Sequence, residues 1–356
     1  MLIVDDSALM RKLVADLLQA PEIEIVGAAK DGAEALEMTG RLHPDVVTLD
    51  IEMPVMSGLE ALPLLLSTYK VPVVMLSALT QEGAEVTLAA LELGAVDFFP
   101  KPDRHQISQL KASRDLLIAK IVSASQSRVR ARGSAHRPPS PSSIPTLPSH
   151  TAPQPRASSS SPLCVVIGIS TGGPQALSQV LPELKPPIPP ILIVQHMPAN
   201  FTLAFAERLR KQCAVVVKEA CEGDAILPDQ ILIAPGGRHM TIRGTPQKAK
   251  VSLSDGPLMT GHRPSVDMLF LSAARIYGEA TVGIIMTGMG RDGVEGCKSI
   301  LAAGGSTFGQ DEATSVVYGM NKAAFLEGAL QSQFALGNLP AIIERVAHAS
   351  SRAAKT

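Results

Sequence analysis

A serine flanked by glycines follows an apolar run near the middle of the chain. Gly168-Ile169-Ser170-Thr171-Gly172 fits the G-x-S-x-G pattern that exposes a nucleophilic serine, and Pro174 suits the first turn of a following helix. The pattern predicts a sharp strand-to-helix turn that presents Ser170 at the edge of a sheet. A phosphate-cradling glycine loop is the alternative interpretation, because small residues at a helix start let backbone N–H groups approach an anion.

A serine hydroxyl is a poor nucleophile at neutral pH, so Ser170 requires a nearby base and a carboxylate that orients the base. His196 directly follows an apolar run, and Asp292 lies in the glycine-rich loop after another. In a parallel sheet both would end at the same edge as Ser170. His196 is favoured because a histidine just past a buried strand is held rigidly. His239 and His262, in predicted loops, remain alternative bases.

The loop that leads to Asp292 also offers backbone N–H groups. Gly288-Met289-Gly290 carries little side-chain bulk, so its amides can approach a substrate oxygen and form an oxyanion hole. A plain turn is an equally good interpretation of these residues. The chain order Ser170, His196, Asp292 differs from that of α/β-hydrolases and of the common serine proteases. The triad alone therefore does not identify the fold.

A second cluster of polar residues is predicted near the N-terminus. Asp5 and Asp6 follow the first apolar run, Asp50 ends the third, and Ser77 and Lys101 end the fourth and fifth. In a parallel sheet they would share one edge, where adjacent carboxylates repel one another unless a cation neutralises them. An all-oxygen set with positions left for water and phosphate suits Mg²⁺. The cluster predicts phosphoryl transfer onto Asp50, with the metal and Lys101 offsetting charge on the phosphoryl oxygens.

Apolar runs that alternate with amphipathic stretches position this cluster, and the alternation predicts a parallel sheet built from βαβ units. The predicted strands are Leu2–Val4, Ile23–Ala28, Val46–Leu49, Val71–Leu76 and Ala95–Phe99. Predicted helices include Ala8–Gln19, Ala33–Arg41 and a closing helix at Ile107–Ser125. The first strand is short, which suggests a native start a few residues upstream. Together these elements predict one domain, residues 1–125.

The serine and its partners fall in a second predicted domain, residues 163–349. Residues 126–162 are rich in Ser, Pro and Arg and hold no acidic residue, which predicts a linker. Beyond it the predicted strands are Val165–Ile169, Ile191–Gln195, Val215–Lys218, Ile231–Ala234, Val282–Thr287 and Gly305–Phe308. Alternating apolar and polar residues at Met240–Ile242 and Ala249–Leu253 predict an antiparallel hairpin. The predicted fold is a doubly wound, mainly parallel α/β sandwich with this hairpin at one side.

The composition excludes several classes of protein. The chain has 356 residues, 46% of them hydrophobic, and its formal net charge of -1 excludes a globally basic nucleic-acid binder. The second half is too rich in strands and too weakly basic for a helix-turn-helix output. No signal peptide and no apolar run of about 18 residues stands out. We therefore expect a cytoplasmic protein without membrane insertion and without nucleic acid as a partner.

The first domain resembles a response-regulator receiver domain. The resemblance covers residues 1 to about 125, in the motifs Leu-Ile-Val-Asp5-Asp6-Ser, Leu-Asp50-Ile-Glu-Met-Pro-Val-Met-Ser-Gly, Met-Leu-Ser77-Ala and Phe98-Phe99-Pro100-Lys101-Pro102. It implies a flavodoxin-like fold, with Asp50 as the phospho-acceptor and Asp5, Asp6 and Asp50 as Mg²⁺ ligands. Ser77 and Lys101 are implied as phosphate partners. Phe98 matches the switch aromatic of the family.

The second domain resembles the catalytic domain of chemotaxis protein-glutamate methylesterases. The match runs from about Leu163 to Val346, in the motifs Gly168-Ile-Ser170-Thr-Gly-Gly-Pro, Val-Gln-His196-Met-Pro, Ala-Pro-Gly-Gly-Arg-His-Met, His-Arg-Pro-Ser-Val-Asp-Met-Leu-Phe and Met-Thr-Gly-Met-Gly-Arg-Asp292-Gly. It implies Ser170 as nucleophile, His196 as base and Asp292 as the group that orients the base. Met289 is implied as an oxyanion donor through its N–H, with Thr171 nearby.

Together the two resemblances imply one phosphorylation-activated enzyme. They imply hydrolysis of glutamate methyl esters on chemoreceptors and deamidation of receptor glutamines, with a chemotaxis histidine kinase as phosphodonor. Mg²⁺ would serve the receiver, and hydrolysis would need no cofactor. We expect a monomer in which the unphosphorylated receiver packs over the Ser170 edge. The alternative is a response regulator whose output domain binds a nucleotide or phosphate without catalysis, although no G-x-G-x-x-G or Walker lysine supports it.

Overall fold

The computed structural model describes residues 1–78, 80–101, 107–127 and 162–353, with the backbone alone at 107–113 and 348–353. The strands of the first domain are β1 Leu2–Val4, β2 Gly27–Ala29, β3 Val47–Asp50, β4 Val73–Ser77 and β5 Asp97–Pro100. Its helices are α1 Ala8–Leu17, α2 Gly32–Leu42, α3 Gly58–Leu64, α4 Gln81–Leu93 and α5 Ile107–Ser125. The strands form one parallel sheet in the order β2-β1-β3-β4-β5. The predicted five-stranded parallel fold is confirmed.

The second strand departs most from its predicted position. The apolar run predicts a strand at Ile23–Ala28, whereas the ladder forms only at Gly27–Ala29, opposite Leu2–Val4. Ile23 and Ile25 pack on the core outside the ladder. Their apolar character therefore reflects burial rather than strand pairing, and periodicity alone does not separate the two causes.

The second domain is built on a seven-stranded sheet whose paired strands are all parallel within the described residues. Across the sheet the strands are β14 Ser332–Phe334, β13 Ser306–Gln310, β12 Thr281–Ile285, β6 Cys164–Ile169, β7 Ile191–Gln195, β9 Gln230–Ile233 and β8 Val216–Glu219. The helices are α6 Gly173–Val180, α7 Ala199–Gln212, α8 Val266–Tyr277, α9 Val294–Ala302, α10 Met320–Leu326 and α11 Leu339–Ala353. None of the described helices has the length and apolar character that crossing a bilayer requires.

Two features of this domain differ from the sequence prediction. The edge strand β14 is not predicted, because a strand of three residues is too short for its pattern to stand out. The predicted hairpin is confirmed as β10 His239–Arg243 and β11 Lys250–Ser254, but it forms a sheet of its own instead of extending the edge of the parallel sheet. The hairpin packs on α8, and this contact buries its apolar face.

The strand order explains where a site can form. From β6 the chain moves outward through β7 to β8 and β9, then returns to the other side of β6 and moves outward through β12, β13 and β14. Such a reversal opens a crevice at the carboxyl ends of the central strands, where ligands bind in α/β sheets. Ser170, His196 and Asp292 follow β6, β7 and β12. The fold thus delivers all three to this crevice.

The two domains meet across an apolar interface. Helix α4 of the first domain packs on α6 and α7 of the second. Leu88 and Leu91 of α4 belong to the same apolar core as Phe201 and Phe205 of α7. The predicted linker, residues 126–162, lies outside the described residues except at its two ends. The domain boundaries stay predictions, although α5 ends at Ser125 and β6 begins just after the linker.

Candidate active site

Ser170 lies on the turn between β6 and α6. Its N–H donates to Thr287 O at 3.0 Å, and its own carbonyl accepts from Gly173 N–H at 2.8 Å and from Gln195 Nε2 at 3.0 Å. Because Ser170 and Gly173 use their N–H groups inside the protein, those groups do not cradle a phosphate. The side chain borders a cavity, and the residue is 9% exposed. This geometry suits a held nucleophile better than a phosphate loop.

The glycines around Ser170 serve close packing as well as the turn. A Cβ on Gly168 would lie 2.3 Å from Val266 Cγ1, so Gly168 lets α8 approach β6. Gly172 shapes the turn itself, because its φ of +76° lies in the left-handed region. A Cβ on Gly288 would lie 2.7 Å from Ser170 Cβ. Gly288 therefore allows the loop after β12 to pass close beside the serine.

His196 and Asp292 come together as the sequence predicts. His196 Nε2 lies 2.9 Å from Asp292 Oδ2, and the His196 side chain is 7% exposed. The other ring nitrogen, Nδ1, is buried and without a hydrogen-bond partner among the described residues. Ser170 and His196 line the same cavity, although no hydrogen bond joins them in the part of the chain that the structure describes. Nδ1 is thus left free to accept the serine proton once the hydroxyl turns toward it.

Asp292 is fully buried and accepts four hydrogen bonds. Besides His196, the donors are Ser265 Oγ at 2.8 Å and the N–H groups of Val266 at 2.8 Å and Asp267 at 3.1 Å, all at the start of α8. Burial acts to raise the pKa of Asp292, but hydrogen bonding to His196, the charge of its ring and the two backbone N–H groups outweigh burial. The pKa consequently lies well below its ordinary value. Asp292 stays ionised and orients the imidazole.

The two alternative bases occupy other positions. His239 is 1% exposed, pairs its Nε2 with Pro257 O at 2.9 Å and does not line the cavity at Ser170. His262 does line it and stacks on His196, with ring centroids 3.9 Å apart and planes 12° apart. Burial and the neighbouring His196 lower the pKa of His262 to about 4, so His262 is neutral near pH 7. Its Nδ1 contacts Thr260 O at 2.9 Å, and its ring supports the face of His196.

His196, His262 and Asp292 also bring donor atoms within 4.8 Å of one another, as a metal site would. The two stacked rings, however, direct their nitrogen lone pairs along parallel planes rather than toward a common point. The oxygens of Asp292 are already engaged by four donors. The arrangement suits proton transfer better than metal binding.

Not every backbone N–H group of the Gly288–Gly290 loop can serve as an oxyanion donor. Gly288 N–H donates to Val317 O at 3.0 Å and is therefore engaged. Met289 lines the cavity beside Ser170, and within the described ranges its N–H has no acceptor. Met289 is the member of the loop whose amide is both available and near the serine. This position agrees with the role that the resemblance implies for it.

The first domain covers the cavity in front of Ser170. The cavity measures about 400 Å³, with Ser170, His196 and Met289 on one side. Phe98 of β5 and Lys120 of α5 lie on the other side. The receiver-like domain therefore stands between the serine and the solvent on this face of the molecule.

Strand β5 makes the contacts that hold this arrangement. Thr171 Oγ1 donates to Asp97 Oδ2 at 2.5 Å, and Lys120 Nζ lies 2.6 Å from the same oxygen. Phe98 stacks on Phe201 of α7, with ring centroids 4.3 Å apart and planes 19° apart. Thr171, the residue after Ser170, is thus hydrogen-bonded to a strand of the other domain. Lys101, predicted to contact the phosphoryl group, directly follows the same strand.

The carboxylates predicted to bind Mg²⁺ gather at the carboxyl edge of the first sheet. Oxygens of Asp5, Asp6 and Asp50 lie within 4.8 Å of one another. Lys101 Nζ lies 2.7 Å from Asp50 Oδ2 and 2.9 Å from Asp5 Oδ2. Asp6, Asp50 and Lys101 line a cavity of about 260 Å³. This all-oxygen set, with space beside it, fits Mg²⁺ together with water and a phosphoryl group.

Ser77 ends β4 as predicted, but its hydroxyl faces α4. It accepts a hydrogen bond from Thr87 Oγ1 at 2.5 Å and donates to Gly83 O at 3.3 Å. Ser77 does not line the cavity at Asp50. To contact a phosphoryl group there, its side chain would have to turn and give up these contacts with α4. Ser77 and Lys101 are nevertheless neighbours, since Lys101 N–H donates to Ser77 O at 2.7 Å, and contact of the Ser77 hydroxyl with a phosphoryl group stays a prediction.

The carboxylate of Asp50, the predicted phospho-acceptor, lies in an unfavourable electrostatic environment. Burial raises the pKa of Asp50 to about 6, although the hydrogen bond and charge of Lys101 act in the opposite direction. The like charge of Asp5 acts in the same direction as burial. A cation or a phosphoryl group would change this balance.

Several residues that shape the site were missed by the sequence reasoning. Gln195 Nε2 bonds Ser170 O, and Thr287 Oγ1 donates to Thr171 O at 2.9 Å. Ser265 bonds Asp292 and caps α8. Each of these residues lies inside or beside a predicted motif, and this position was the only feature of the sequence that could have indicated its role. Asp97 carries no such signal, because its partner Thr171 is far away in sequence.

Comparison with known proteins agrees with this geometry. A family model described as CheB methylesterase matches residues 165–343, and one described as response regulator receiver domain matches residues 1–111. The catalytic domain of the Thermotoga maritima CheB methylesterase, a crystal structure, aligns with a TM-score of 0.50 at 36% identity. The alignment covers 52% of this chain and 98% of that domain.

Curated relatives match nearly the whole chain. The protein-glutamate methylesterase/protein-glutamine glutaminase of Pyrococcus abyssi is 43% identical over 346 residues, which is 97% of this chain and 92% of the relative. A protein of Koribacter versatilis with the same name, numbered 2, is 45% identical over 350 residues, 96% of this chain and 94% of the relative. The chain thus belongs to the CheB methylesterase family and combines a response-regulator receiver domain with the methylesterase domain.

Proposed function

We propose that this protein is a phosphorylation-activated serine hydrolase that removes methyl esters from chemoreceptor glutamates and deamidates receptor glutamines. The observation that carries the proposal is that Ser170 and His196 line one cavity together with receiver residues, while the buried Asp292 holds His196 through a hydrogen bond. The names of the curated relatives include both activities. One site serves both, because an ester and an amide share the carbonyl that is attacked and differ in the leaving group.

The reaction follows from the positions of the side chains. Ser170 Oγ attacks the carbonyl carbon while His196 Nδ1 accepts the hydroxyl proton, and Asp292 stabilises the imidazolium that forms. Met289 N–H donates to the developing oxyanion. His196 passes the proton to departing methanol or ammonia and then activates the water that hydrolyses the acyl-enzyme. These residues supply nucleophile, base and oxyanion donor, so we propose that hydrolysis needs no cofactor.

The receiver takes the phosphoryl group from a chemotaxis histidine kinase onto Asp50. Asp5, Asp6 and Asp50 would hold Mg²⁺, which when bound neutralises charge on the phosphoryl oxygens. Lys101 would move from the carboxylates to those oxygens, and Ser77 would turn away from α4 to meet them. We place this exchange in the cytoplasm and propose that the protein acts as a monomer.

The receiver controls access to Ser170 through strand β5. Asp97 holds Thr171 and Phe98 holds Phe201, and both lie on the strand that leads to Lys101. A phosphoryl group that draws Lys101 toward itself would displace the end of this strand and weaken both contacts. The turn of Ser77 would disturb α4, which forms the apolar part of the same interface. Separation of the domains then opens the cavity to a receptor helix.

Methanol release from methylated receptor membranes tests the activity and its control. We expect the wild type to be faster with a small acyl phosphate and Mg²⁺ than without them, and Ser170→Ala to be inactive in both conditions. Ser178→Ala, which removes a hydroxyl elsewhere in α6, is the matched control and should retain wild-type rates. Turnover by Ser170→Ala would contradict the role of the nucleophile. Wild-type turnover that ignores the phosphodonor would contradict the switch.

A fluorophosphonate probe separates the hydrolase from a non-catalytic phosphate-binding output. Labelling of the phosphorylated protein that disappears in Ser170→Ala supports the hydrolase. No labelling of the wild type under the same conditions would favour the binding module.

A further inference from the structure

Asp267 is a buried acidic residue beside the hydrolytic site that has no role in the reaction described above. It is the second residue of α8 and is 3% exposed. Its Oδ1 accepts the N–H of Gly296 at 2.7 Å, in the first turn of α9, which has no side-chain cap of its own. Asp292, which precedes α9, in turn accepts the N–H groups at the start of α8. Each of the two helices is therefore capped by a carboxylate from the other.

The reciprocal caps bring two carboxyl groups together where water is excluded. Asp292 is fully buried, its Oδ1 accepts the backbone N–H of Asp267 at 3.1 Å, and its negative charge acts on the nearby carboxyl group of Asp267. The helix N-termini favour negative charge at both positions. Hydrogen bonds thus join the His196 ring to Asp292 and Asp292 to the backbone of Asp267. A change of charge on Asp267 acts on the imidazole through one intervening carboxylate.

The surroundings of Asp267 raise its pKa into the pH range in which the enzyme can be assayed. Burial, together with the negative charge of Asp292, raises the pKa of Asp267 to about 6 against the opposing effect of the Gly296 N–H. Cys297 of α9 faces the pair and stays a neutral thiol, because burial raises its pKa. On the far side of His196, His262 is neutral as well. Asp267 therefore carries a charge at pH 8 and a proton below pH 6.

We propose that Asp267 is a positioning residue of the hydrolytic site: its carboxylate fixes the loop that carries Asp292 and places a second negative charge behind the Asp292–His196 pair. The second charge favours transfer of the Ser170 proton to His196, because the imidazolium of the transition state then faces two carboxylates. The inference rests on the proposed hydrolysis by Ser170. It adds a group that touches neither the substrate nor the reacting atoms.

The substitution Asp267→Asn removes the negative charge but keeps an oxygen that can cap α9. The amide oxygen can still accept the N–H of Gly296, whereas the negative charge is gone. We expect kcat/KM at pH 8 to fall about tenfold, mainly through kcat, and the midpoint of the acidic limb to move about one unit lower, as loss of one nearby charge predicts.

The Tm of Asp267→Asn distinguishes a positioning residue from a purely structural helix cap, because loss of a cap alone would lower the Tm. Because burial holds the pKa of Asp267 above its ordinary value, its charge costs stability at pH 8. The Tm of Asp267→Asn at pH 8 should therefore equal or exceed that of the wild type while activity falls. A lower Tm together with an unchanged pH profile would reduce Asp267 to a helix cap and overturn the proposal.

The assay uses the full chain with Mg²⁺, a small acyl phosphate and methylated receptor membranes between pH 5.5 and 9. Asp224→Asn, the same substitution at an acidic residue paired with Lys218, is the matched control and should keep the wild-type profile. If Asp267→Asn does not fold, Asp267→Glu retains the charge and should keep the midpoint even if its Tm falls; a shifted midpoint would overturn the proposal.

The outcomes separate this inference from the proposed function. A wild type that releases no methanol, or a Ser170→Ala variant that does, would remove the proposed function. A wild type that is active and loses activity in Ser170→Ala, beside an Asp267→Asn variant with the wild-type kcat and acidic limb, would overturn this inference alone.

Discussion

In the hydrolytic site Asp292 accepts four hydrogen bonds and holds His196 in place, whereas in the receiver Asp50 pairs with Lys101 and borders an open cavity. Both sites lie at the carboxyl edge of a parallel sheet. In the first, Asp292, His196 and the Met289 N–H already have the positions that the proposed reaction requires. The second has space and unbalanced charge that a cation and a phosphoryl group would fill. We propose that the first site requires only access for its substrate and that phosphorylation at the second site provides this access.

Electrostatics show the same contrast. In both sites burial acts to raise the pKa of the central carboxyl group, but only at Asp292 do hydrogen bonds and charge outweigh burial. Asp50, with fewer donors, ends with a raised pKa of about 6. A fully bonded carboxylate can act as a fixed orienter, whereas an under-bonded one responds to whatever binds next to it.

The largest expected effect tests the completeness of the hydrolytic site. His196→Gln removes the base and should lower kcat by roughly 10⁴-fold or more, with no additive loss in a double variant with Ser170→Ala, since the two residues act as a unit. His239→Gln, at the rejected alternative base, is the control. Steady-state methanol release from the phosphorylated protein measures both. A loss in His239→Gln equal to that in His196→Gln would break the assignment of the base.

The next effect tests whether the receiver site only grants access. Asp50→Asn removes the phospho-acceptor and should abolish stimulation by a phosphodonor while leaving the unstimulated rate unchanged. The ratio of rates with and without the phosphodonor is the measurement. Asp45→Asn, at an exposed acidic residue of the same domain, should keep the wild-type ratio. Stimulation that survives in Asp50→Asn would place the switch elsewhere.

A smaller effect concerns the contact between the two regions. Asp97→Ala removes the partner of Thr171 and Lys120. Loss of such a hydrogen bond and ion pair, about 1–2 kcal/mol, should raise the rate of the unphosphorylated protein several-fold toward the stimulated rate. Asp16→Ala, at an exposed acidic residue of α1, is the control in the same assay without phosphodonor. An unchanged rate in Asp97→Ala would mean that this contact does not hold the closed arrangement.

The smallest effect is on stability and tests the charge imbalance at Asp50. The pKa of Asp50 is raised to about 6 in the folded protein, so its charged form is less favourable there than in the unfolded chain. The free energy of unfolding therefore decreases as the pH rises from about 4 to about 6. Without Mg²⁺, Asp50→Asn should therefore be more stable than the wild type at pH 8 by roughly 1–3 kcal/mol and equal to it below pH 4. Urea unfolding at the two pH values measures the difference. A less stable variant at pH 8 would show that the Asp50–Lys101 pair stabilises the fold.

The sequence predicted those parts of the molecule that depend on buried strands and on the residues at their ends. Ser170, His196 and Asp292 each follow an apolar run, so periodicity and parallel topology suffice to place them at one edge. The contact of Asp97 with Thr171 and the turn of Ser77 toward Thr87 could not be predicted, because both depend on how separate elements pack. Ile23 shows the reverse error, since burial without strand pairing gives the same apolar pattern as a strand.

The rate at which a fluorophosphonate labels Ser170 tests most directly whether a complete site is closed by the receiver. A fragment of residues 163–356 can be compared with the full chain, since the catalytic domain of the Thermotoga maritima relative has been solved as a separate domain. We predict that the fragment is labelled as fast as the phosphorylated full chain and faster than the unphosphorylated one. A fragment labelled no faster than the unphosphorylated full chain would contradict closure by the receiver.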